Sequence, residues 1–500
     1  MRSRSFSISI STAAALGAFG CGGAAPPLAI VASSSDPAAS SPPPRIAAAY
    51  EPWQVDKGCE VRALDPHALC AGQPRCPVAR DDVARCGATI ANLTLAPGGT
   101  AVFGFTRDTG NRTSGFGYWS SGDPVRAVSS DGAEEVAAAQ RPGGPLHVVR
   151  AEQGRLVDYR IDPLGLGRRR WDYPLPPETR LIDAAWDHDR LIARTLERSS
   201  EGDSYTRDVV ARPDGAFAGG DTSSLIVPWP PGLLPKRAAD GHAYSLSRGS
   251  SGVAIRVDGA ILRLPEAVSR TMRSPQILLP EAAAPAPTFA FRSFDPSDRN
   301  GVHVLFLRAP LSGSAPSAVT DLHFLAGRQG RQSDCRETRD SKPGLCTSTE
   351  TSGSGGALAR TSDGTAWLAF LVTERQHQAI TQVVCPPPPT CAPGEPCRQA
   401  PCERRERNPH DTVRHRLFVV RLAADGRGAA LGFLSELVEA ADASFFEAPA
   451  MSAEGALLHL VLNVGDRKLR RIALDTAAMN AAPLLPDSLV VTETELQSEK

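Results

Sequence analysis

One phrase recurs along this chain and limits its fold more than any other feature: a turn built on Gly or Asp, followed at once by a short, mostly apolar run. It reads Pro97-Gly98-Gly99-Thr100 before Ala101-Val102-Phe103, Pro142-Gly143-Gly144-Pro145 before Leu146-His147-Val148-Val149, and Asp187-His188-Asp189-Arg190 before Leu191-Ile192-Ala193. Four more copies are Asp240-Gly241 before His242-Ala243-Tyr244, Asn300-Gly301 before Val302-His303-Val304, Asp363-Gly364 before Thr365-Ala366-Trp367-Leu368, and Glu454-Gly455 before Ala456-Leu457-Leu458. Asn-Gly and Asp-Gly pairs tolerate the positive φ of tight hairpin turns, so each copy predicts a strand entered from a turn.

Anchored on Gly99, Gly144, Asp189, Gly241, Gly301, Gly364 and Gly455, the copies are 45, 45, 52, 60, 63 and 91 residues apart. All but the last interval are near the length of a four-stranded propeller blade. The last contains a cysteine cluster, so it carries either a loop insertion or a further blade near Leu417-Phe418-Val419-Val420. Alternation of apolar and polar residues, as in Leu156-Val157-Asp158-Tyr159-Arg160-Ile161, supports half-buried strands. The best helical stretches are short, at residues 265–272 and 431–441. The chain therefore reads as all-β, and residues 90–480 resemble the β-propeller lipoproteins. The spacing favours seven blades, with six to eight open; the competing architecture is two β-sandwiches in tandem.

Residues 1–20 have a short basic start and a weakly apolar run, the pattern of a signal peptide. The run ends in Leu16-Gly17-Ala18-Phe19-Gly20-Cys21, which resembles the lipobox of bacterial lipoproteins. That resemblance implies acylation of Cys21 and a membrane partner through the lipid, in the cell envelope, facing the periplasm or the exterior. Residues 21–48 are Ala, Ser and Pro with few large apolar side chains, so they read as a tether. A cysteine-stapled segment is expected over 49–90, the propeller over 91–482 with a Cys-rich loop insertion at 385–412, and a tail over 483–500.

The chain has 11 Cys, and setting Cys21 aside leaves an even ten. They group as Cys59, Cys70, Cys76 and Cys86; Cys335 with Cys346; and Cys385, Cys391, Cys397 and Cys402. Five disulfides in an oxidising compartment account for them, with connectivity open. The last group, followed by His410 and His415, has wider spacing than structural zinc sites use, so no metal and no cofactor is expected.

With 54 basic against 55 acidic residues, the net charge of −1 gives no field that would draw nucleic acid. Arg168-Arg169-Arg170 reads as a solvated turn. No Gly-x-Ser-x-Gly, His-Glu-x-x-His or phosphate-loop pattern occurs, which lowers the enzyme class without removing it. Thr361-Ser362-Asp363-Gly364-Thr365-Ala366-Trp367 resembles a degenerate Asp-box of sialidase-type propellers, a structural turn in that family; no catalytic residues carry over. Trp119, Trp171, Trp186, Trp229 and Trp367 have the flat faces that stack on sugars, but core packing is the commoner fate, above all for Trp367. The expected function is an exported, lipid-anchored scaffold that binds protein or glycan; the alternative is an exported propeller hydrolase of glycosidase or lactonase type.

Overall fold

The strand and turn signals become seven successive antiparallel sheets in the computed structural model. It describes residues 51–495 apart from connecting segments, the longest being 225–235, 263–271, 294–300, 307–317, 325–331, 334–343, 385–402, 438–448 and 480–488. Residues 1–50, including Cys21 and the tether, lie outside the described residues, as do Trp229 and Cys335.

The chain enters through β1 (Glu51–Pro52), β2 (Asp56–Lys57), β3 (Cys59–Ala63) and β4 (Val78–Cys86). Sheet I follows with β5 (Thr89–Leu95), β6 (Ala101–Thr109), β7 (Asn111–Trp119) and β8 (Arg126–Ser130). Sheet II has β9 (Gly132–Gln140), β10 (Leu146–Glu152), β11 (Arg155–Asp162) and β12 (Gly165–Pro174). Sheet III has β13 (Arg180–Asp187), β14 (Arg190–Arg198), β15 (Ser204–Ala211) and β16 (Phe217–Ser224); sheet IV has β17 (Lys236–Arg237), β18 (Ala243–Gly249), β19 (Gly252–Val257) and β20 (Ala260–Leu262). Sheet V is built from β21 (Met272–Leu278), β22 (Thr288–Ser293), β23 (Gly301–Phe306) and β24 (Ala318–Phe324). Sheet VI holds β25 (Gln332–Ser333), β26 (Gly344–Gly353), β27 (Ala357–Arg360), β28 (Ala366–Val384), β29 (Glu403–Leu422) and β30 (Ala429–Leu437). The last strands are β31 (Ala450–Glu454), β32 (Leu457–Asn463), β33 (Lys468–Asp475) and β34 (Leu489–Glu495).

Sheet VII joins the two ends of the chain in the order β3-β4-β33-β32-β31. The other terminal strands add a fifth strand to neighbouring sheets: β2 to sheet I, β1 to sheet II and β34 to sheet V. One strand of each sheet touches its counterpart in the next, β5 with β9, β9 with β13, β13 with β17, β21 with β27, β27 with β31, and β31 back to β5, while sheets IV and V meet through Leu246 and Ile255 against Phe289 and Phe291. That circuit, built on antiparallel sheets of four to six strands, is a β-propeller.

The core is divided into wedges between sheets rather than gathered at one centre. Phe103, Phe105 and Trp119 of sheet I pack with Ala84, Val461 and Leu469 of sheet VII. Val148, Val157 and Tyr159 of sheet II meet Val102, Phe116 and Val128 of sheet I. Trp171 of sheet II packs against Leu181, Leu191 and Val209 of sheet III, and Trp367 of sheet VI against Leu458 and Leu460 of sheet VII. Each large apolar side chain so buried contributes about 1.5–3 kcal/mol, which is why Trp119, Trp171 and Trp367 serve the core.

The recurring turn has one structural meaning in six sheets: it joins the strand that touches neighbouring sheets (β5, β9, β13, β17, β27 or β31) to the strand after it, and it contains a residue of positive φ. Those residues are Gly99, Gly143, His188, Gly241, Gly364 and Gly455. Four of the turns share one bonding pattern, with Gly99 N donating to Ala96 O, Gly144 N to Arg141 O, Gly241 N to Ala238 O and Gly364 N to Thr361 O. In sheet V the Asn300-Gly301 copy instead lies between the second and third strands, β22 and β23. The first joint of that sheet falls within residues 279–287, where Pro280, Pro285 and Pro287 replace the Gly or Asp signal.

Four expectations need correction. Residues 431–437, read as helix, belong to β30, because pairing with β29 from His415 to Leu422 overrides a weak local preference. Leu417-Phe418-Val419-Val420 lies in β29 and founds no additional sheet among the described residues. Arg168-Arg169-Arg170 lies within β12, not in a turn. Within the Cys-rich stretch expected as loop over 385–412, residues 403–412 are strand. In addition, the 49–90 segment supplies two strands of sheet VII, and residues 489–495 of the C-terminal stretch pair with β24.

Candidate functional site

The longest strands identify where the chain departs from the repeated plan. β28 and β29 have 19 and 20 residues, roughly twice the length of most of their counterparts in other sheets. Their inner halves are apolar: Leu368, Phe370, Val372, Phe418 and Val420 are buried against sheet V, with Phe370 and Phe418 stacked at 5.1 Å. From Thr373 outward the sequence turns polar, Thr-Glu-Arg-Gln-His-Gln, and the strands continue beyond the wedge.

A change of partner accompanies that change of chemistry. β28 pairs with β27 through Ala366–Ala369 and with β26 from Val372 to Thr381. At the junction Leu371 N donates to Ser354 Oγ (2.9 Å) and Ser354 N donates to Leu371 O (2.8 Å), so the serine side chain fills the gap in the ladder. The outer sheet runs β25-β26-β28-β29.

Its surface carries an ionic row. Asp411 lies 2.6 Å from His377 Nδ1 and 3.6 Å from Arg375, and Glu374 is 3.9 Å from Arg416. The hydrogen bond from His377, with the nearby charges of His377, Arg375 and His410, holds the Asp411 carboxyl below its ordinary value. Ile380, 37% exposed, is one of two large apolar side chains on the surface of the described residues. Residues 385–402, with Cys385, Cys391, Cys397 and Cys402, connect the outer ends of β28 and β29 and lie outside the described residues; Cys346 stands on β26, in register with Ala379.

Two disulfides are present among the described residues. Cys59–Cys86 links directly opposed residues of β3 and β4, and Cys70–Cys76 closes a short loop after Pro66–Cys70. They indicate an oxidising compartment, extracellular or periplasmic. No described helix is long and apolar enough to cross a membrane.

The structure also assembles two Glu–Tyr–Arg clusters that sequence reading missed. Glu152, 2% exposed at the end of β10, accepts hydrogen bonds from Tyr159 OH (2.8 Å), Arg150 (3.3 Å) and Arg168 (3.2 Å). Glu197, near the end of β14, accepts from Tyr205 OH (2.8 Å), Thr195 Oγ1 (3.0 Å) and Tyr173 OH (3.4 Å), with Arg207 at 3.3 Å. Both carboxylates sit on the second strand of their sheet and both take a hydroxyl from a third-strand tyrosine. The only sequence signal was a polar pair two apart inside an apolar strand, Arg150/Glu152 and Thr195/Glu197.

Each cluster thus sets an acid beside tyrosine and arginine, and the electrostatics fix the state of the phenols. Burial, then the Glu152 charge, raises Tyr159; burial, then Glu197, raises Tyr173; and the hydrogen bond to Glu197 raises Tyr205. All three phenols are thereby held protonated, as O–H donors to Glu152 and Glu197. The clusters tie strands together: Tyr173 belongs to sheet II and Glu197 to sheet III.

Asp363 of the Asp-box-like turn is structural as well. It accepts from Thr361 Oγ1 (2.6 Å) and Thr365 N (3.0 Å), which lowers its pKa and closes the turn. Among the described residues no group of three or more His, Cys, Asp or Glu is placed to hold a metal ion. A cavity of about 140 Å³ lies on sheet VII, lined by Glu60, Arg62, Leu64, Val83 and Arg85.

No protein-family model matches the chain, and no curated protein matches it in sequence. Among solved structures, a puromycin-hydrolyzing peptidase of Mycobacterium tuberculosis aligns at 13% identity over 80% of this chain and 53% of that one, with a TM-score of 0.34. Trypanosoma rangeli sialidase aligns at 10% identity over 88% and 97%, TM-score 0.29. A Lactobacillus plantarum protein aligns at 12% over 67% and 95%, TM-score 0.29. At values this low, none of these likenesses carries an activity or a ligand to this chain.

Proposed function

We propose that the chain is an exported envelope protein, anchored through a lipid on Cys21, whose propeller presents the β28–β29 hairpin as a binding element for a protein or glycan ligand. The observation that carries the reading is the polar outer half of that hairpin. Strands that leave the core at Val372 stay paired as far as Thr381 on one side and Val384 on the other, and residues 385–402 with their four cysteines connect their outer ends. Binding surfaces concentrate on such connections, because the scaffold restrains them before the ligand arrives.

The anchor and the hairpin are tested separately. Cys21→Ser moves the protein from the membrane to the soluble fraction; continued membrane association ends the lipid reading. Replacing residues 376–412 by Asn-Gly, between the paired Arg375 and Val413, leaves the wedge intact and abolishes co-sedimentation of the soluble chain with isolated envelope. Equal co-sedimentation of both forms assigns binding elsewhere.

A further inference from the structure

The wedge between sheets VII and I, where the two ends of the chain close the propeller, contains a histidine with one ring nitrogen uncommitted. His459 on β32 is 2% exposed; its Nε2 lies 3.2 Å from the Glu454 carboxylate, while its Nδ1 is buried with no hydrogen-bond partner among the described residues. Beside a carboxylate, Nε2 is the nitrogen that carries hydrogen, which leaves Nδ1 a bare lone pair. Ser452, directly opposite on β31, keeps its Oγ unpartnered too, so neither atom at present satisfies the other.

The charges around the ring come from three strands. β31 supplies Glu454, 64% exposed, at Nε2. β33 supplies Arg471, which donates to Trp119 O (3.0 Å) and Gly99 O (2.8 Å) of sheet I and packs with His459 over Gly99. β4 supplies Asp82, opposite Arg471 and paired with Arg80. Sheet I offers the carbonyls of Gly99 and Trp119, both already taken by Arg471. A proton arriving at Nδ1 would thus enter a buried wedge beside a guanidinium, with no acceptor bonded to it among the described residues.

We propose that His459 is a proton-sensitive latch on the closure of the propeller: the neutral ring fits the closed wedge, and the protonated ring loosens β31–β33 from sheet I. The inference is independent of the binding role of the hairpin. Burial lowers the pKa of His459, Arg471 lowers it further, and Glu454 only partly opposes them. The open form, with an ordinary imidazole, therefore binds the proton first. Stability of the closed wedge is complete above about pH 6.5 and falls as pH drops from there toward the folded value, at most about tenfold in the opening constant per pH unit for one proton.

Hydrogen exchange of the full chain between pH 7.5 and 5.0, corrected for intrinsic rates, reads this directly. Peptides from β31–β33 and β5–β6 lose protection by up to about tenfold per pH unit, peptides of sheet III hold theirs, and His459→Gln removes the difference. The same loss in His459→Gln, or an equal loss in sheet III, overturns the latch. Should His459→Gln fail to fold, an NMR titration of His459 in the unaltered chain decides: a midpoint below 6.5 supports it, and one at or above 6.5 overturns it.

Discussion

In sheet VII five strands from opposite ends of the chain pair edge to edge, and charged groups on both its faces are buried. Arg470 and Asp81 meet in a bidentate pair at 2.9 and 2.7 Å, Asp81 fully buried, while the Cys59–Cys86 disulfide fastens the outermost strand. In sheet VI the corresponding second and third strands run past the core, and their outer charges stay in water: Arg375 is 58% and Asp411 43% exposed. The contrast teaches that ion pairs of similar composition do different work on the two sheets. Where water is excluded, losing one partner strands a charge; where water remains, it replaces the partner.

That contrast orders the expected effects of substitution. Arg470→Ala leaves Asp81 buried without its cation and lowers unfolding free energy by about 3–5 kcal/mol, whereas the paired Asp81→Leu/Arg470→Met change restores most of it. Denaturant titration of the three chains checks this, and a double variant as unstable as the single one would show that the pair, rather than the stranded charge, matters. Next, Cys59→Ala with Cys86→Ala frees β3 and lowers stability by about 2–4 kcal/mol, read from the same titration.

A smaller effect is expected at Asp363, whose hydrogen bonds close an exposed turn. Asp363→Ala costs at most about 1 kcal/mol at neutral pH. Because those bonds lower its folded pKa, its contribution is present above the ordinary carboxylate value of 3.8 and is lost as pH falls through the folded value. Melting curves of parent and variant should therefore converge in acid. Smallest is Asp411→Asn on the outer hairpin, expected within about 0.5 kcal/mol. A loss there as large as for Arg470→Ala would erase the distinction between the two sheets.

Much of the architecture is legible in the sequence. The Gly and Asp turns announced strands because positive φ is a local demand that few residues meet, and six of the seven copies mark the same joint. The copy in sheet V marks a different joint, since a Gly reports a turn but not which strands the turn connects. Residues 431–437 misled because short apolar runs fit helix and strand alike until a neighbouring strand claims their backbone. The Glu152 and Glu197 clusters were invisible for another reason: their partners lie up to 24 residues away in sequence and meet only after the sheets have paired.

By itself the sequence determined the all-β class, the repeated entry turns and the apolar stretch of each strand, because these depend on φ preference and on the alternation of side chains along one strand. Only the tertiary structure decided that N- and C-terminal strands share sheet VII, that Val372 is where β28 leaves the core, and which carboxylates are sealed from water. Those outcomes depend on pairing between distant segments, whose backbone hydrogen bonds look alike in every register until burial of the facing side chains selects one.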